Sequence, residues 1–377
     1  MVSSVPKILA VFGTRPEAIK MAPLVNALRE SRQFTTAVCV SGQHRQILDP
    51  VLKLFDIVPD FDLGVMRPNQ TLGGLLVDIA AGLGGVLEEI KPSLVLVHGD
   101  TTTAMVAAIA AFYRNIPVGH VEAGLRSGSM TAPWPEEFNR RVAALATRFH
   151  FAPTEQARAN LVAEGFPLDH IHVTGNTVVD ALRWVTARIA ASPESTRSFE
   201  RQFSYLDPAR RLILVTGHRR ENFGEGVLNI CRAIRRLASR PDIQIVYPVH
   251  PNPNVRGVVE AELAGVDGVF LIEPVDYEPF VFLMNRSCIL LTDSGGIQEE
   301  GASLGKPVLV MRDTTERPEG LRAGAIRLIG SGADRIAGEV ERVLDDKVAY
   351  DAMARCSDAY GDGMACGRIR AVLEQAI

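Results

Sequence analysis

Leu94-Val95-Leu96-Val97-His98-Gly99-Asp100-Thr101-Thr102-Thr103 is an apolar, β-branched run that gives way at once to a small polar cluster. It reads as a buried strand that delivers a carboxylate, Asp100, at the start of a helix. The next such run, Pro117-Val118-Gly119-His120-Val121-Glu122-Ala123-Gly124-Leu125-Arg126, ends the same way with Glu122. Working outward, short strand-like runs at Ile8–Phe12, Ala37–Val40, His150–Ala152 and His172–Val173 are each followed by a stretch of helical period. This alternation is the signature of a parallel sheet covered by helices, here a doubly wound domain. A helix-like stretch follows Thr177 to about Ala190, and hydrophobic periodicity then fades through the polar segment Ser192–Arg210, which reads as the interdomain connection. A second strand series begins at Leu212–Thr216 and continues through Ile243–Tyr247, Val269–Ile272, Ile289–Thr292 and Pro307–Met311. The expected fold is therefore α/β, with two Rossmann-like domains whose strand ends face a central cleft, where polar motifs are best placed.

A length of 377 residues agrees with two domains, because a single core usually stops growing near about 250 to 300 residues. A net charge of -4, from 40 basic and 44 acidic residues, and the lack of a long basic block speak against a nucleic-acid or membrane partner. Any anionic ligand must then be met by local groups. Cys39, Cys231, Cys288, Cys356 and Cys366 are scattered without the spacing of a zinc site or a disulfide framework. They read as reduced thiols, and with no signal-peptide core or long apolar run the expectation is a soluble cytoplasmic protein without a metal or other cofactor.

The polar motifs each have a plain structural alternative. Asp100 is read equally as an N-cap and as a functional acid. The shift toward function comes from its neighbours: Glu122 on the same rim, then Glu136 in Pro133-Trp134-Pro135-Glu136-Glu137, a shaped loop leading into a helix that carries Arg140. Glu136 alone would be an ordinary first-turn acid. Gly13-Thr14-Arg15-Pro16-Glu17 leaves the first strand and enters a helix, and its amides with Arg15 and Lys20 can receive a phosphate. In the second half, Thr216-Gly217-His218-Arg219-Arg220 ends a strand with a histidine and two cations suited to a diphosphate. Asp293-Ser294-Gly295-Gly296-Ile297-Gln298-Glu299-Glu300 opens a helix with small residues and places acids one turn on, a pattern for an anion and ribose hydroxyls. Arg312-Asp313-Thr314-Thr315-Glu316-Arg317 adds a cation at the next strand end. A nucleotide-diphosphate holder in the second half and acid-base groups in the first point to a nucleotide sugar.

With these residues in view, the chain resembles the non-hydrolysing UDP-N-acetylglucosamine 2-epimerases, a family of two-domain GT-B architecture. The resemblance runs end to end and rests on FGTRPEAIKMAPL (Phe12–Leu24), LVHGDTTT (Leu96–Thr103), IPVGHVEAGLR (Ile116–Arg126), PWPEE, IQIVYPVHPNPNVR, LTDSGGIQEE and LGKPVLVMRDTTERPEG. It implies that Asp100, Glu122 and Glu136 are the catalytic carboxylates and that His218 lies near the diphosphate. It places Arg15, Lys20, Ser294, Gly295, Gly296, Glu300 and Arg317 around UDP, Arg140 with the substrate, and Phe280 and the backbone near Val275 beside uracil. Residues 1–176 with a C-terminal helix of about 364–377 would form the catalytic domain, and 177–363 the UDP-binding domain. A second UDP-sugar as activator is implied beside Gln43, Gln46 and His250, whereas Asn69 and the loop Ser127–Ala132 depart from the usual pattern. A homodimer serving polysaccharide biosynthesis completes the expectation.

The implied reaction inverts carbon 2 of UDP-N-acetylglucosamine to give UDP-N-acetylmannosamine. The hydrogen on that carbon has no adjacent carbonyl to acidify it, so departure of UDP must help. Anti elimination would give 2-acetamidoglucal, to which UDP re-adds while a proton arrives on the opposite face. Closure of the domains would keep water from the intermediate.

Overall fold

Apolar runs buried on both faces assemble into two parallel sheets, each in its own compact unit. The computed structural model describes residues 5–42, 45–67, 70–131, 133–355 and 357–377. One unit comprises Met1–Arg183 with Gly361–Ile377, the other Trp184–Tyr360.

The first unit contains β1 (Lys7–Phe12), β2 (Thr35–Val40), β3 (Phe61–Asp62), β4 (Leu94–His98), β5 (Val118–Val121), β6 (Phe149–Ala152) and β7 (Ile171–Val173). They form a seven-stranded sheet in the order β3-β2-β1-β4-β5-β6-β7. All five residues of β4 are buried, as expected of a parallel strand covered by helices on both faces. The order reverses direction between β1 and β4, which makes the carboxyl ends of these strands the place where loops diverge and leave a crevice. Register then decides which loops meet. His98 pairs with Val121, and the Gly99 amide donates to the Val121 carbonyl at 2.9 Å, so the turns carrying Asp100 and Glu122 leave the sheet side by side.

Helix starts in this unit follow local chemistry. Thr14 caps the helix Arg15–Arg29 with Pro16 in its first turn, and Glu17 completes a capping box. Thr101, not Asp100, caps the helix Thr102–Phe112, accepting from the Ala104 amide at 3.0 Å. Alanines 104, 107, 108 and 111 on that helix are buried, and their small side chains allow a close approach to the sheet. The C-terminal helix Ala365–Ala376 also belongs to this unit. Asp180 accepts from the amides of Ala365 (3.2 Å) and Cys366 (2.9 Å), and Arg370 donates to the Ala27 carbonyl at 3.3 Å.

The second unit contains β8 (Arg211–Thr216), β9 (Ile243–Pro248), β10 (Val269–Ile272), β11 (Ile289–Thr292), β12 (Val308–Val310) and β13 (Ile326–Leu328). Their order is β10-β9-β8-β11-β12-β13, so the reversal falls between β8 and β11, the strands that lead into His218 and Asp293. Its core is aliphatic, with Ile213, Val215, Ile245, Leu291 and Leu309 wholly buried.

Two strands, β3 and β13, show no apolar run in the sequence, because a charged residue, Asp62 or Arg327, interrupts each of these short segments. The stretch read as the interdomain connection, Ser192–Arg210, instead lies within the second unit, which begins at Trp184, and it contains a helix, Pro193–Gln202, capped by Ser192. Apart from Pro193 and Phe199 its residues are polar and none is fully buried, so one aromatic ring is too little to announce an apolar stripe. No helix among the described residues is long and apolar enough to cross a membrane.

Candidate functional site

In the first unit the polar groups gather at the ends of β1, β4 and β5. Glu122 follows β5 directly and holds a left-handed backbone, φ +63°, a costly conformation for a residue with a side chain. Its Oε2 is paired with the Lys20 ammonium and accepts a hydrogen bond from Asn176 Nδ2 at 2.7 Å. Lys20 and Glu122 are both buried, so charge pairing is what makes the arrangement tolerable. His98 Nε2 lies 3.9 Å from the same oxygen. Burial pulls the His98 ring down to about 3, against the opposing pull of Glu122, so it is neutral near pH 7 and the cation serving Glu122 is Lys20.

Asp100 is partly exposed and its carboxylate pairs with Arg140, which is buried on the helix Glu136–Leu145. Asn139 from the same helix donates to the Asp100 carbonyl at 3.0 Å. Glu136 is the first residue of that helix, and its buried Oε2 has no hydrogen-bond partner among the described residues. The adjacent Glu137 is fully buried and accepts from the Ser127 amide (3.0 Å) and Arg141 Nε (2.9 Å), with Arg140 3.4 Å away. Glu17 stitches two turns together, accepting from the Gly13 amide (3.0 Å), the Thr14 amide (2.8 Å) and the Thr101 hydroxyl (2.7 Å). Burial raises the Glu17 pKa, while these hydrogen bonds pull it the other way.

In the second unit Asp293, fully buried at the end of β11, organises the loop after β8. It accepts from the amides of His218 (3.0 Å) and Arg219 (2.9 Å) and from Asn222 Nδ2 (3.0 Å), and its Oδ1 lies 3.5 Å from His218 Nδ1. Burial lowers the His218 pKa and Asp293 opposes that effect, so the ring is held beside a carboxylate that can stabilise its charged form. The rings of His218 and His250 stack with centroids 5.5 Å apart.

Ser294 occupies the N-cap position of the helix Gly295–Ser303. A Cβ added to Gly295 would sit 2.5 Å from an Arg317 guanidinium nitrogen, so the glycine is what lets that cation lie against the helix start. Helix amides and guanidinium then add their positive potential at one spot, suited to a phosphate. Arg317 Nε donates to Glu299 at 2.8 Å. Burial would raise the Glu316 carboxyl, but Arg317 and Arg312 outweigh it and bring its pKa down to about 2. Tyr277 donates its hydroxyl proton to Glu300 Oε1 at 2.7 Å, aligning that acid one turn into the helix. Phe280 is half-buried on the helix Tyr277–Arg286, and Val275 precedes that helix.

The structure thus brings Lys20, Asp100, Glu122, Glu136 and Arg140 onto neighbouring loops and helices of one unit, with Arg15 opening the helix that carries Lys20. His218, His250, Ser294, Gly295, Gly296, Glu300 and Arg317 belong to the other unit, as do Val275 and Phe280. Gln43 and Asn69 lie outside the described residues, as does the side chain of Gln46. Among the described residues no cluster of His, Cys, Asp or Glu could hold a metal ion.

Sequence reasoning missed Glu17, Glu137, Asn176 and Asp293 as groups that hold the others. Glu137 had a signal, since Arg140 and Arg141 stand three and four residues on, where helical side chains meet. Asp293 had one too, as an acid at a strand end two residues before a glycine pair.

A row of buried histidines crosses the first sheet. His98, His120 and His150 are almost inaccessible, and His120 pairs directly with His150 across β5 and β6. His120 Nε2 is 2.7 Å from the Gly99 carbonyl, which only accepts, so Nε2 carries the proton. Burial lowers His98 and His150 to about 3 and His120 to about 4. In the unfolded chain the same rings titrate near their ordinary value of about 6.5. Their folded pKa is depressed, so the unfolded state binds more protons below pH 6.5; stability is complete above about that pH and falls as acid is added. Each ring contributes a slope of about 1.4 kcal/mol per pH unit in that window. The thermal midpoint is expected to drop steeply between about pH 6.5 and pH 4.5, and a flat profile measured by circular dichroism would contradict this assignment.

A family model described as UDP-N-acetylglucosamine 2-epimerase matches residues 26–374. The chain is similar to the UDP-N-acetylglucosamine 2-epimerase of Yersinia pestis, with 54% identity over 369 residues and 98% of each chain covered. The enzyme of that description from Escherichia coli (strain K12) shows the same identity and coverage. A solved UDP-GlcNAc 2-epimerase from Neisseria meningitidis, bound to UDP-GlcNAc, superposes with a TM-score of 0.95 at 48% identity, covering 98% of this chain and 100% of that one. With one family model spanning most of its length and more than half its residues shared with full-length relatives, the chain belongs to the UDP-N-acetylglucosamine 2-epimerase family.

Proposed function

We propose that this family member interconverts UDP-N-acetylglucosamine and UDP-N-acetylmannosamine without hydrolysing them, through anti elimination and re-addition of UDP. The observation that carries this reading is the Glu122 carboxylate, fixed by Lys20 and Asn176 next to the Asp100–Arg140 pair, in a chain whose solved relative is bound to UDP-GlcNAc. The residues of 1–176 and the C-terminal helix supply proton chemistry, and those of 177–363 hold UDP.

Heterolysis of the anomeric bond gives carbon 1 oxocarbenium character and acidifies the carbon 2 hydrogen. A carboxylate of the Glu122–Asp100 pair takes that proton, the C–H electrons become the C1=C2 bond, and UDP leaves with the anomeric oxygen. On return, a proton is delivered to the other face of carbon 2 while UDP re-forms the anomeric bond. Glu136 shares or tunes the proton transfers. His218, with Asp293 behind it, stabilises charge on the departing diphosphate, and Arg15, Ser294, Gly295, Gly296 and Arg317 retain it. Glu300 takes the ribose hydroxyls, and Phe280 with the Val275 backbone flanks uracil. Each positioned acid or base contributes roughly 100-fold to 10,000-fold.

We further infer a cytosolic homodimer that a second UDP-sugar activates beside Gln43, Gln46 and His250, the last of which stacks on His218. The four cysteines among the described residues are free thiols, which supports a reducing compartment.

Incubation with UDP-N-acetylglucosamine in deuterated water tests the chemistry. Proton NMR is expected to show solvent deuterium at carbon 2 of both epimers, with no free sugar released. Recovery of product without deuterium would exclude the proposed route.

A further inference from the structure

Asn176 is 2% exposed and uses both ends of its amide. Its Oδ1 accepts from the Val178 amide at 3.0 Å, at the start of the helix Thr177–Ala191, and its Nδ2 donates to Glu122 Oε2 at 2.7 Å. Because the oxygen end is committed to a backbone N–H, the amide cannot flip, and the end facing Glu122 must be the donor. The backbone beneath it is packed as well. A Cβ at Gly361 would lie 3.0 Å from the Gly175 Cα and 3.2 Å from the Asn176 nitrogen, so the returning chain closes over this turn.

We propose that Asn176 is the positioning residue for Glu122 in proton transfer at carbon 2, an inference that rests on the function proposed above. Lys20, Asn176 and His98 all lie near Glu122 Oε2, and they do different work. His98 is 3.9 Å away, and its ring nitrogens have no hydrogen-bond partner among the described residues. Lys20 supplies charge, but an ammonium on four methylenes has little directional preference. Asn176 supplies direction: two torsions, one of its ends anchored to a helix, and a short bond to one carboxylate oxygen. A base that must meet a hydrogen on one face of a sugar ring depends on that aim, since misplacement by about 1 Å can cost roughly 100-fold in rate. Glu122 sits in a left-handed backbone conformation, so its carboxylate needs a partner that holds it against relaxation.

The test separates this role from helix capping. Serine caps a helix about as well as asparagine but is too short to reach Glu122. Asn176→Ser is expected to melt near the parent temperature, with kcat reduced about 10-fold or more and KM little changed. Asn176→Asp keeps the shape and the acceptor but lacks the donor, and is expected to lower kcat at least as far. Parental kcat in either folded variant would overturn the proposal. Glu122→Gln run in parallel keeps the two readings apart. Full turnover in that variant removes the underlying mechanism, whereas its loss beside an unimpaired Asn176→Ser removes only the role of Asn176.

Discussion

Glu122→Gln is expected to reduce turnover by at least about 100-fold while UDP binding stays within a few-fold of the parent, the scale of a lost general base. Glutamine is nearly isosteric and still offers an oxygen to Asn176 and Lys20, so the shape of the pocket is preserved. What disappears is the anionic charge and the basicity. UDP contacts are proposed for the other unit and for Arg15, none of which requires a carboxylate at 122. The charge paired with Lys20 is also removed, and since both groups are buried, some loss of stability accompanies the substitution. Turnover by NMR, UDP affinity by calorimetry and a melting curve on the same preparation separate these effects. Near-parental turnover would refute Glu122 as a proton-handling group.

Asp293→Ala is expected to be the most damaging change in the second unit, lowering stability by about 3 kcal/mol or more and UDP affinity by at least about 10-fold. The carboxylate is fully buried and is a shared acceptor for two backbone amides and the Asn222 side chain. Alanine leaves those donors in a space too enclosed for easy rehydration. The loop that presents His218 would relax, and the diphosphate proposed to bind there would lose a group placed by that loop. Urea unfolding and calorimetric titration with UDP measure the two effects. If both are unchanged, Asp293 does not organise this loop.

The fold is largely legible in the sequence because most of its strands show an apolar run and a polar end. Asp100 and Glu122 were legible for the same reason: each stands one or two residues past such a run, at the side of a parallel sheet where function collects. β3 and β13 were not, because each is short and broken by a charged residue, Asp62 or Arg327. The polar helix Pro193–Gln202 lacked a buried face and so lacked a signature.

The amino-acid order by itself determined that two parallel α/β units would form and that acids would gather on one and a phosphate-type helix start on the other. These are consequences of local periodicity and of residue types at strand ends. Only the tertiary structure decided which partners those side chains take. Lys20, read as a phosphate ligand, pairs with Glu122 across 102 residues of chain, and Asn176 reaches the same carboxylate across 54. Asp293 meets the His218 amide across 75. Such pairings depend on strand order and register, which arise from packing the whole sheet and leave no trace in the neighbouring sequence.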